Sequence, residues 1–149
     1  MDSFEKAQRV ALLKRLKEHL EIQRRRFQEY LHVLEQEKTS ITEGRIDDLE
    51  QQITLEENLV REIVSVQKVI APMEEVYRST HGDDPELVQI QNHLNELAKT
   101  AAERNKSNRL LLSSRLEEIR QQMANLKPRP GVRYYNNEEM SRVKIDIRT

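Results

Sequence analysis

Only three glycines interrupt this 149-residue chain, and they stand at positions 44, 82 and 131. Glycine costs about 1 kcal/mol in a helix interior relative to alanine. A chain that holds so few of them, spaced this far apart, admits helix nearly everywhere else. The residues between the glycines agree: they are rich in Leu, Glu, Gln, Arg and Lys, with 4 % aromatics and four prolines. This is the composition of long helices. At 36 % hydrophobic, the chain is too apolar to be disordered throughout.

The first stretch, Phe4 to Thr42, repeats apolar residues at Leu13, Leu16, Leu20, Phe27, Tyr30, Leu34 and Ile41. The steps alternate between three and four once Gln23 and Glu37 are allowed as polar insertions, which gives a heptad-like seam. Asp2 or Ser3 can cap its start. A helix of this span is about 55 Å long and must bury its stripe against another element. Gly44, in TSITEGRIDD, predicts a kink or a tight turn, with Asp47 and Asp48 placed for the first turn of the next helix.

The second stretch, Ile46 to Ser79, carries Leu49, Ile53, Val60, Ile63, Ile70 and Met73 on its main stripe. Pro72 lies inside that pattern and predicts a kink near Val69–Pro72, or a short break followed by another turn. HGDDP, residues 81–85, is the strongest punctuation. Gly82 ends one helix, Asp84 caps the next and Pro85 fits its first position. The third stretch, Pro85 to Leu126, has Leu87, Ile90, Leu94, Leu97 and Ala101 on one face. Leu112, Leu116, Ile119, Met123 and Leu126 resume that face after the polar run ERNKSNR, which predicts a weakly packed layer or a shift in the seam.

The fold class expected is all-α: an elongated antiparallel helical bundle or coiled coil of three long stretches over residues 1–126. The simplest pairing makes a hairpin of the second and third stretches, with the first laid alongside. KPRPG, residues 127–131, ends the helical region and begins a separate non-helical tail, 127–149. In it Val143, Ile145 and Ile147 alternate with charged residues as a short strand would.

The formal charge is −1. It is distributed unevenly, with an acidic middle over 44–84 and a basic tail, an arrangement that favours docking between them or simply solubility. No run of apolar residues approaches a membrane span, and MDSFEKAQRV holds no signal-peptide core. The absence of cysteine removes disulfides, thiolate catalysis and Cys-ligated metals. A cytoplasmic protein without stable membrane insertion is expected.

Motifs for chemistry are few. Glu29 and His32 form an ExxH, the unit that di-iron bundles use twice with two more carboxylates, but no second copy exists. Phosphate-binding and nucleophile loops are missing. Asp83–Asp84 reads as a helix start before it reads as a catalytic dyad. Arg24–Arg26 point in different directions around a helix, beside Glu21 and Glu29. Lys127, Arg129 and Arg133 lack an aromatic-lined groove. The expectation is no enzyme, no cofactor, no metal and no nucleic acid. What remains is a surface for another protein chain. The stripe Leu112, Leu116, Ile119, Met123 and Leu126 is the preferred element for it, with intramolecular core as the competing reading. Tyr134 and Tyr135 either pack on the bundle end or anchor an interaction.

The segment LEQEKTSITEGRIDDLEQQITLEENLVREI, residues 34–63, resembles the FlgN family of flagellar export chaperones. It has the glutamate-rich helix end, the glycine-centred break and the acidic-plus-leucine restart, and the chain closes in Asp146-Ile147-Arg148. The resemblance implies a non-enzymatic cytoplasmic chaperone that binds C-terminal amphipathic helices of the hook–filament junction proteins FlgK and FlgL. It further implies delivery to the export-gate protein FlhA. Carried over, substrate recognition falls on Leu112, Leu116, Ile119, Met123 and Leu126, and gate docking on Tyr134 or Tyr135. The alternative is a homodimeric coiled-coil scaffold.

Overall fold

The structure, a computed structural model, describes residues 2–126. These form three helices: α1 (Ser3–Glu43), α2 (Ile46–His81) and α3 (Pro85–Ala124). Asp2 is the residue that caps α1, its Oδ1 accepting the Glu5 N–H at 2.7 Å. At the other end Gly44 adopts a left-handed conformation, φ 71° and ψ 25°. Its N–H donates to the Ile41 carbonyl at 3.3 Å, and the Arg45 N–H donates to the Ser40 carbonyl at 2.9 Å. That paired closure ends the helix and turns the chain back. The Gly44 break is therefore a tight turn.

Helix α2 runs unbroken through Pro72, so no break of the kind the proline allowed occurs. The reason is position. Pro72 and Lys68, whose carbonyl loses its partner, are both exposed, while Ile70 and Tyr77 on the inner face are buried. Water can serve the freed carbonyl and core packing holds the helix. Gly82 closes α2, and Asp84 caps α3 by accepting the Glu86 N–H at 2.9 Å and the Leu87 N–H at 3.4 Å. The helix-start reading of Asp83–Asp84 thus holds for Asp84, while Asp83 lies 3.8 Å from Arg78.

The bundle runs up, down, up. Gln23 meets Ile63 and Arg26 meets Glu62, so α1 and α2 are antiparallel. Lys17 meets Glu86 and Arg115 meets Thr42, so α1 and α3 are parallel. The expected primary hairpin of α2 with α3 is not what forms. Each packs closely along α1, and their own backbones scarcely approach each other. The sequence of α1 explains this. Leu16, Leu20, Gln23, Phe27, Tyr30, Leu34, Glu37 and Ile41 keep an unbroken four–three spacing, and Val33 and Ser40 widen the buried face. A face that wide serves two neighbours.

Three apolar clusters line the axis, each drawing on all three helices. Leu16, Leu20, Ile70, Tyr77, Leu87 and Leu94 form the first. Tyr30, Val33, Leu34, Leu59 and Ala101 form the second. Ile41, Leu49, Leu112 and Leu116 form the third, next to the α1–α2 turn.

Candidate partner-binding end of the bundle

The end near Gly44 is built from helices of unequal reach. Asn108 donates from Nδ2 to the Leu34 carbonyl at 2.8 Å, and Arg115 donates from Nη2 to the Thr42 carbonyl at 2.7 Å. These contacts fix the register of α3 on α1. Since α1 stops at Glu43 and α3 continues to Ala124, the last two turns of α3 run about 10 Å past the hairpin, at 1.5 Å per residue. No described helix runs beside them.

This geometry divides the stripe expected to bind a partner. Leu112 and Leu116 are 4 % and 6 % exposed and pack with Ile41 and Leu49. Ile119 is 42 % exposed, Met123 is half-buried and Leu126 is 59 % exposed. The inner two residues are core in the closed bundle, and the outer three project beyond it. Ile46, at the start of α2, adds another exposed apolar side chain near that end. Charges along α3 pair within the helix, Arg115 with Glu118 at 3.3 Å and Arg120 with Glu117 at 3.5 Å. They frame the stripe as a polar rim.

Between the second and third clusters lies a polar layer. Glu37 of α1, Glu56 of α2 and Asn108 of α3 are all buried there. Tyr30 donates its hydroxyl to Glu56 Oε1 at 3.2 Å. Burial, and then hydrogen bonding to the Glu56 carboxylate, push the Glu37 carboxyl up to about 9, so at neutral pH Glu37 carries its proton. The same carboxylate, with burial as the larger cause, raises the Tyr30 hydroxyl above its ordinary range. Two turns further up from the Tyr30–Glu56 pair, Gln23 donates from Nε2 to the Ile63 carbonyl at 2.9 Å. In the sequence Gln23 and Glu37 read as polar insertions and Asn108 falls within ERNKSNR, the run that predicts a weakly packed layer, while Glu56 is not picked out. The signal is present as interruptions of the apolar stripes, seven residues from Ile53 to Val60 and eleven from Ala101 to Leu112.

Elsewhere the polar candidates have ordinary partners. Arg24 and Arg25 pair with Glu21, and Arg26 pairs with Glu29 at 3.1 Å and Glu62 at 2.7 Å. His32 is exposed, and its ExxH partner Glu29 is engaged by Arg26. Among the described residues no three His, Asp or Glu side chains are grouped to hold a metal ion. No helix among them is long and apolar enough to cross a membrane. Tyr134 and Tyr135, the KPRPG break, the basic Lys127, Arg129 and Arg133, and the alternating Val143–Ile147 lie outside the described residues.

Comparison with known proteins gives a family. The profile of the FlgN family, described as FlgN protein, matches residues 1–141. A protein of Treponema pallidum (strain Nichols), described as uncharacterized, is 34 % identical over 143 residues, covering 96 % of this chain and 93 % of its own. No solved structure gives a significant match.

Proposed function

The chain belongs to the FlgN family and is in general terms a flagellar export chaperone, and from that premise we propose that it works in the cytoplasm on hook–filament junction subunits resembling FlgK and FlgL. It holds their C-terminal amphipathic helices, keeps the subunits from assembling early, and passes them to an export-gate protein resembling FlhA. Tyr134 or Tyr135 is the proposed gate contact.

One observation carries the reading of the binding surface: α3 outruns the α1–α2 hairpin with Ile119 and Leu126 exposed on the stripe that is core one turn earlier. An amphipathic helix laid there continues the packing that α1 and α2 provide further up. Each apolar side chain of this size contributes about 1.5–3 kcal/mol when fully buried. Ile119, Met123 and Leu126 are already partly covered, so burying what remains exposed supplies roughly 2–4 kcal/mol in all before ordering costs are subtracted. That suits a grip firm enough to mask the subunit and weak enough to release it.

Co-purification with a FlgK-like and a FlgL-like subunit tests this. Ile119→Asp, Met123→Ser and Leu126→Ser together leave Leu112 and Leu116 in place, so the bundle stays folded and retention of both subunits falls at least tenfold. Full retention by the folded triple variant removes this surface. A homodimeric scaffold, burying the same stripe against a second copy, predicts instead a mass that doubles with concentration in light scattering and is monomeric in the variant.

A further inference from the structure

Resting on that reading of α3, we infer that the bundle opens in two parts: the segment beyond the polar layer (residues 38–43, 46–55 and 109–124) loosens as a unit, and Leu112 and Leu116 join the partner surface only in this open form.

The layer crosses every helix at one level, through Glu37, Glu56 and Asn108. Among the described residues, four buried polar atoms without a hydrogen-bond partner lie at the layer or in the segment beyond it, Glu37 Oε1, Ser40 Oγ, Gln52 Oε1 and Arg120 Nε, against two on its other side, Gln23 Oε1 and His81 Nδ1. Buried polar groups left unpaired weaken the packing around them and are satisfied on opening, when water reaches them. The apolar clusters show the same division. Phe27 packs against both the first and the second cluster, whereas among the described residues no apolar side chain packs against both the second and the third. The third cluster is also small, four buried residues with Ile53 and Leu111 at its edge. Regions with few buried apolar contacts open ahead of the rest.

Opening has a use because the stripe is continuous. Leu112, Leu116, Ile119 and Met123 keep three- and four-residue steps along one face of α3. A partner helix seated on Ile119 and Met123 lies in line with Leu116 and Leu112, which become available once Ile41 and Leu49 release them. The fraction of open molecules then scales the apparent affinity, so the closed core acts as a brake on binding and as a spring for release.

Hydrogen exchange on the full chain reads the opening without any partner. Amides of residues 110–116, flanked by helix on both sides, are expected to exchange at least tenfold faster than those of 94–101. Equal protection across the layer overturns the division. Glu37→Met with Glu56→Met fills the layer with apolar groups and is expected to shrink the difference below threefold. Should that variant not fold, Asn108→Leu reads the same layer from α3, and an unchanged difference in the folded variant denies the layer its role. A crosslink tests the link to binding. The chain has no cysteine, so Thr42→Cys with Arg115→Cys can be joined selectively by a short bismaleimide. The joined protein is expected to retain a FlgL-like subunit at least tenfold less well than the same variant unjoined, and equal retention overturns the requirement for opening. If the unjoined variant also fails to retain the subunit, the partner reading fails, and exchange still decides the opening.

Discussion

Glu37 holds a proton that a surface glutamate would lose. In the unfolded chain its carboxyl titrates near 4.5, and in the bundle near 9. Between these values the folded state binds the proton and the unfolded state does not. The stability contributed by the neutral carboxyl is complete below about pH 4.5 and is lost as pH rises toward and through 9. Urea unfolding between pH 5 and 9 is therefore expected to show a falling midpoint in the wild type and a flatter profile in Glu37→Gln, which keeps the hydrogen bonds without the titration. Gly44 makes a separate demand. Its φ of 71° is strained for an L side chain, while an added Cβ would meet nothing within 4 Å. Gly44→Ala is expected to cost about 1 kcal/mol through backbone conformation alone, read from the same unfolding curves.

Helix ends and interruptions were readable where local chemistry sets them. Asp84 and Pro85 mark the start of α3 in the sequence and cap it in the structure. Pro72 was readable as a kink or a short break, and the sequence left the two open because the outcome depends on which side of α2 faces water. Its exposed position predicts that Pro72→Ala restores a backbone hydrogen bond without disturbing the core. A gain of up to about 3 kcal/mol in unfolding free energy is expected, and a loss would show that the proline is needed for the packing of Met73 and Tyr77. The division of the Leu112–Leu126 stripe was not legible at all. Its periodicity passes through Leu116 and Ile119 unchanged, and only the length of α1 set against that of α3 reveals where cover ends.

At the scale of the whole molecule, composition and glycine placement specify three helices but leave their order open. Three amphipathic helices with similar stripes can pair in several ways. The arrangement centred on α1 follows from the widened face around Val33, Leu34 and Ser40, and from bringing Glu37, Glu56 and Asn108 to one level. Glutamate is so common on helix surfaces that the gap in the apolar stripe at Glu56 does not by itself distinguish a buried carboxyl from an exposed one. The same matching sets α3 in parallel with α1 and so decides that its C-terminal end, and not its beginning, projects from the bundle. Membership of the FlgN family gives the chain's general task, and the overhang is where we propose that the task is performed.

The most direct test is a methyl NMR titration of the full chain with a synthetic peptide carrying the C-terminal amphipathic helix of a FlgL-like subunit. The largest shifts are expected at Ile119, Met123 and Leu126, with Leu112 and Leu116 following as the bundle end opens. Shifts concentrated instead on the other exposed apolar face, around Val10, Leu13 and Ile22 of α1, would contradict the assignment of partner binding to α3.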